Sequence, residues 1–206
     1  SLGTFWCAPD DVRWTLENHG RWLESGMYLE GVTQICWDYL VRGEVGEAEA
    51  WQRRGAARCH AGVTVAEGHP FLSVAPAILA MRGRFAEAYN ELGRLQAAVS
   101  DREPYIRVNL MQATGLAAIE QGDVEPMLDD IGAVLATVQP ATMKIMTHLQ
   151  NLVVFQTWGL VELARTAPAE RRDGRMAAAQ DGLRALGKVV TRPLTRAHHT
   201  LLAASL

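Results

Sequence analysis

The chain has 206 residues, enough to bury about 70% of its unfolded surface and hold a core without disulfide or metal staples. With 49% hydrophobic and 21% charged residues, a net charge of −3 and a pI near 6.1, it has no overall electrostatic footprint for nucleic acid or an acidic membrane. Cys7, Cys36 and Cys59 are odd in number and form no Cys-x-x-Cys pair, which argues against a disulfide framework and for a reducing, cytoplasmic setting.

No secretory signal opens the chain, and no apolar run is long enough to span a bilayer. The sequence starts on Ser1 without an initiator Met and stops on the apolar run 201–206, as expected of a piece of a longer protein. Eighteen Arg against two Lys, with abundant Ala, fit a GC-rich bacterial coding sequence rather than a chemical demand.

The first predicted element is a helix from Asp11 to Glu24 in an aromatic-rich segment, residues 1–28, that serves as a cap or an interface. Eight of the fourteen aromatics fall in the first quarter of the chain. On that helix Val12, Leu16 and Leu23 make one stripe, and Trp14 and Trp22 lie roughly opposite. Residues 29–206 then read as helical hairpins: Leu29–His60, Pro70–Ser100, Tyr105–Val138, and Met143–Val189 with a break near 167–173. A fifth begins at Pro193 and is truncated.

Two stretches repeat, LVRGEVGEAEAW from Leu40 and AMRGRFAEAYNE from Ala80. Gly43, Gly83 and Gly122 each stand just past an amphipathic run, where a helix end favours positive φ. Their period of about forty residues belongs to stacked helical hairpins. Pro70, Pro104, Pro140 and Pro193 each precede a new helix, and Pro76 predicts a late start or a kink. The expected fold is all-α, a right-handed stack of antiparallel helical hairpins.

The pattern resembles the tetratricopeptide (TPR) class of α-solenoid. Val32, Ile35, Cys36 and Tyr39 match its first-helix core slots, as do Met111, Thr114, Gly115 and Ala118 in the third hairpin. Ala48 and Ala88 match the small residue of its second helix. The segment 174–206 is also similar to repeat regions of large bacterial regulators. In those, such regions follow a Ser/Thr kinase or a nucleotide-hydrolysing switch, or lie within LuxR-type ATP-dependent proteins. The resemblance implies a sensing or docking arm.

In such a solenoid, ligands lie against the first helices on the concave face. The side chains there that point away from the core stripe are Glu30, Thr33, Trp37, Leu40 and Val41 in the first hairpin. In the third they are Asn109, Gln112, Leu116 and Glu120. Trp14 and Trp22 form a second, aromatic patch. Packing of Trp37 against a neighbouring hairpin is the competing reading, because large aromatics are mostly core.

Other chemistry is thin. The six histidines never pair as His-x-x-x-His, so no metal site is expected. Asp10-Asp11 and Asp129-Asp130 lack the third acid with which terpenoid synthases clamp a magnesium diphosphate. There is no Gly-x-Ser-x-Gly and no phosphate loop. The basic run from Arg165 to Arg196 could meet phosphate or an acidic partner, although Glu170, Asp173 and Asp181 interleave it.

The resulting expectation is a non-catalytic interaction or sensing module of a larger bacterial signalling protein, without a cofactor. It would bind a protein or peptide, or an adjacent domain of its own chain, with self-association through the terminal helix also open. The alternative is an all-α small-molecule-binding domain or enzyme with a hydrophobic pocket built from the amino-terminal aromatics.

Overall fold

A computed structural model describes residues 9–59, 71–98 and 104–206. Phe5, Trp6, Cys7 and the hairpin edges expected at His60, Pro70 and Ser100 lie outside them. Among the described residues there are eleven α-helices and no strand. They are α1 (Pro9–His19), α2 (Ser25–Val41), α3 (Val45–Cys59), α4 (Val74–Met81), α5 (Phe85–Ala98) and α6 (Pro104–Gln121). Then follow α7 (Glu125–Ala136), α8 (Pro140–Ile145), α9 (Thr147–Arg165), α10 (Ala169–Val189) and α11 (Pro193–Ser205). A 3-10 turn, Gly20–Trp22, follows α1. The chain forms two compact units, residues 1–113 and 114–206, divided within α6.

The repeated turns share one geometry. Gly43, Gly83 and Gly122 have φ of 79°, 72° and 82°, in the left-handed region. In each case the amide after the glycine donates back five residues: Glu44 N to Tyr39 O at 2.9 Å, Arg84 N to Leu79 O at 2.9 Å, Asp123 N to Ala118 O at 3.0 Å. This Schellman closure satisfies carbonyls that a helix end would otherwise orphan. A residue with a Cβ at the glycine would cost roughly 1–2 kcal/mol.

In the first unit α2 packs against α1, α3 and α4. The stripe Val32, Ile35, Cys36, Tyr39 is buried, as are Ala48, Trp51 and Ala88. Gly31 lets α1 come close, since a Cβ there would stand 3.2 Å from Leu16 and 3.4 Å from Val12. Helix α4 starts at Val74, which leaves Pro76 in its first turn, where the missing N–H is not needed. Phe71 and Leu72 are already helical and Ser73 is a turn, so the late start or kink expected at Pro76 takes the form of a break at Ser73.

The first helix is shorter than its pattern predicts: it stops at His19 rather than Glu24. Gly20 lies so near Tyr28 that a Cβ would be 2.9 Å from the ring. Arg58 of α3 donates to Gly20 O at 2.9 Å and to Leu23 O, and its guanidinium sits 4.5 Å from the centre of the Tyr28 ring. The two carbonyls are thus satisfied from another helix, and Trp22 sits on a turn.

Gly55 marks the tightest approach of this unit. A Cβ there would stand 2.5 Å from the ring of Phe71, which is 3% exposed and has no room to swing away. Gly55→Ala gains up to about 1 kcal/mol of helix propensity but overpacks a core, which costs about 1–3 kcal/mol. We expect a net loss of about 1–2 kcal/mol. Gly93 has nothing within 4 Å of the same position, so Gly93→Ala should stabilise by about 0.5–1 kcal/mol. Urea midpoints of the two variants should move in opposite directions; a shared direction would contradict this packing.

In the second unit α9 touches α7, α8, α10 and α11. It is buried without interruption from Leu149 to Phe155. Glycines again permit the contacts: Gly115 faces Phe155 and Ile131, Gly159 faces Met127 and Leu128, and Gly182 faces Leu160 and Thr157. The expected break in the fourth hairpin falls at 166–168, between α9 and α10. Pro104, Pro140 and Pro193 open α6, α8 and α11 as their positions predict.

Buried Gln150 fastens one end of α9. Its Nε2 donates to Lys144 O at 2.7 Å and to Thr191 Oγ1 at 2.9 Å. Thr191 Oγ1 donates to Lys144 O at 3.2 Å, and Arg192 Nη1 donates to Thr147 Oγ1 at 3.0 Å. These bonds gather α8, the start of α9 and the α10–α11 connection.

Candidate functional site

The residues predicted for the concave face are mostly interior. Thr33, Trp37, Leu40, Asn109, Gln112 and Leu116 are buried. Glu30 and Val41 are half-buried, and Glu120 is exposed overall although its carboxyl is partly shielded from water. The apolar residues of α2 cover nearly all its sides, and its neighbours bury most of them, Met27 excepted. Thr33 Oγ1 returns its proton to Leu29 O at 2.8 Å, inside its own helix. Trp37 is 4% exposed, and its Nε1 has no hydrogen-bond partner among the described residues. Gln112 Nε2 donates to Asn109 Oδ1 at 3.3 Å. In this arrangement these six side chains serve packing.

Trp14 and Trp22 are placed differently. Trp14 is 58% exposed on α1 and Trp22 is 75% exposed on the 3-10 turn. Met27, at the start of α2, is 40% exposed. His19 meets Trp14 edge-on with ring centres 5.1 Å apart, and the Arg21 guanidinium lies 4.8 Å from the Trp22 ring centre. The polar groups therefore orient the indoles without covering them. Sequence periodicity did not bring in Met27, because the turn at Gly20 breaks the helical phase that would relate it to Trp14.

Trp, Met and Arg are residue types enriched at protein contact sites. Each indole removes a large apolar area from water at about 25 cal/mol per Å² when a partner covers it.

The remaining reactive groups are subdued. Cys36 Sγ donates to Ala48 O at 3.5 Å, and burial pushes its thiol up to about 12. Burial also raises the Cys59 thiol, so both stay protonated near neutral pH. Desolvation drives His148 down to about 4 and lifts the Glu120 carboxyl above its usual range. Arg82 donates to Glu49 through Nε at 2.9 Å and Nη2 at 3.1 Å, which depresses that carboxylate. Among the described residues no three His, Cys, Asp or Glu side chains converge on a possible metal position. No described helix is long and apolar enough to cross a membrane.

No family model, no curated protein and no solved structure matches this chain.

Proposed function

We propose that the chain is a non-catalytic TPR-like stack of helical hairpins, a docking or sensing module of a larger bacterial regulatory protein. Support for the stacking comes from the three equivalent Schellman turns and from how the hairpins meet. Helix α4 touches both α2 and α3, and α11 touches both α9 and α10, so these two first helices seat on the preceding pair. The docking surface is the exposed face of Trp14, Trp22 and Met27, which meets a protein segment, either an adjacent domain of the same protein or a separate partner.

The observation that carries this reading is the exposure of two indoles on one short stretch. Single exposed hydrophobics are ordinary, but grouped large aromatics usually mark a contact surface.

The test is the double variant Trp14→Ser/Trp22→Ser, immobilised beside the wild-type protein and exposed to host extract. Its thermal midpoint should stay within about 2 °C of wild type, since exposed positions contribute within about 0.5 kcal/mol. At least one protein retained by the wild type should be lost. Retention of the same proteins by the variant, or its unfolding, would overturn the assignment. Saturable quenching of Trp fluorescence by a small apolar ligand would instead favour a pocket.

A further inference from the structure

We propose a second docking surface, in the unit formed by residues 114–206, that takes an acidic segment of a protein partner. It lies at the end of that unit where α8, the start of α9, the end of α10 and the start of α11 come together.

Charge segregation along the chain is the first observation. Residues 131–161 and 182–206 contain five Lys or Arg and no Asp or Glu. The whole chain carries −3, so the remaining residues carry −8 against the +5 of these two segments. The sequence hides this, because Glu170, Asp173 and Asp181 interleave the neighbouring basic run.

The structure separates neutralised cations from available ones. Arg165 is paired with Glu162 at 3.4 Å, Arg175 with Glu125, and Arg184 with Asp181. Lys144, Lys188, Arg192 and Arg196 have no carboxylate partner among the described residues. Lys144, Lys188 and Arg196 are exposed, and Arg192 is half-buried.

The Gln150 bonds place Lys144 of α8 beside the α10–α11 connection, although it is distant in sequence. Lys188 and Arg196 flank that connection on either side. The acids of α7 are directed elsewhere along α9. Gly132 faces Gln156 and Gly159 faces Met127 and Leu128, which sets Asp129 and Asp130 along the second half of α9, away from this end.

The amino termini of α9 and α11 reach the same end as the carboxyl termini of α8 and α10, so the helix dipoles largely offset there and the positive field comes from the side chains. A short carboxylate-rich segment fits this surface best. A long polyanion would extend beyond this end onto the rest of residues 114–206, where nine Asp or Glu outnumber four Arg, and be repelled at distances near the Debye length of about 8–10 Å.

The test uses the whole chain and a fluorescein-labelled ten-residue Asp/Glu peptide, followed by anisotropy, with an Asn/Gln peptide as control. Saturable binding of the acidic peptide at low salt is expected, with a loss of at least about tenfold in 0.5 M salt, while the neutral peptide stays free.

The triple variant Lys144→Gln/Lys188→Gln/Arg196→Gln should weaken binding about tenfold with unchanged circular dichroism. Arg171→Gln/Arg172→Gln, outside the surface, should change it less than about twofold. Equal weakening by both variants, or no saturable binding, would overturn the proposal. So would tighter binding of a single-stranded oligonucleotide of matched charge. The Trp14→Ser/Trp22→Ser protein should bind the peptide as wild type does, so this surface and the aromatic one stand or fall separately.

Discussion

Trp37→Ala is expected to destabilise the protein by about 3–5 kcal/mol, the usual cost of removing a large aromatic from a packed core. Domain stabilities are commonly about 5–15 kcal/mol, so the loss would be a large part of the total. The cause is cavity formation at α2, where Trp37 is 4% exposed and Thr33, Cys36 and Leu40 beside it are buried too. Trp37→Phe separates volume from polarity. It keeps most of the apolar ring and removes an indole N–H that finds no acceptor among the described residues. Because a buried unsatisfied donor costs about 1–3 kcal/mol, the Phe variant should lie within about 1 kcal/mol of wild type. Urea unfolding followed by circular dichroism measures both. An Ala variant that loses less than about 1 kcal/mol would move Trp37 back to a binding face.

The second large effect is in pH. His148 is held neutral, with its pKa near 4 against an ordinary 6.5, because burial disfavours the imidazolium. Above pH 6.5 neither state binds the proton, and the group has no effect. As pH falls from 6.5 towards 4, the unfolded chain takes up a proton that the folded one refuses, so stability falls. At 1.36 kcal/mol per pKa unit the full loss is roughly 3 kcal/mol, complete below pH 4.

Other groups leave a usable window. Glu49, Glu87 and Glu91 have depressed carboxylate pKa values from hydrogen bonds with Arg82, Arg84 and Arg94. Their contribution is present above the unfolded value of about 4.3 and is lost below it, so they act mainly under pH 5. Glu120 acts in the opposite sense, since its raised pKa favours the fold as it protonates. Comparing His148→Gln with wild type cancels all four. Urea midpoints at pH 7 and pH 5 should show a smaller drop for the variant. The His148 Cε1 proton should titrate near pH 4 by NMR; titration near 6.5 would refute the assignment.

Much of this protein is legible in its sequence because helical structure is local. The 3.6-residue period of Val32, Ile35, Cys36 and Tyr39 declares a buried stripe. The glycines at 43, 83 and 122 announce helix ends, and all three take the positive φ that only glycine adopts cheaply. Proline at 104, 140 and 193 marks three helix starts. Such signals depend on residues within a turn or two of one another.

Face assignment was less legible. Thr33, Trp37, Leu40, Asn109, Gln112 and Leu116 lie off the predicted core stripes, yet all are buried. Helix α2 has three neighbouring helices rather than one, and no local period records how many partners surround a helix.

The sequence by itself determined an all-α chain, three helix starts at prolines, three helix ends at glycines, and the shape of those repeated turns. These follow from backbone preferences that act over a few residues. The tertiary structure alone decided that Arg58 would end α1 early, that Trp14 and Trp22 would stay exposed while Trp37 did not, and that Lys144 would join the cations around Arg192. Each of those depends on groups brought together from distant parts of the chain, where packing geometry rather than local preference sets the outcome.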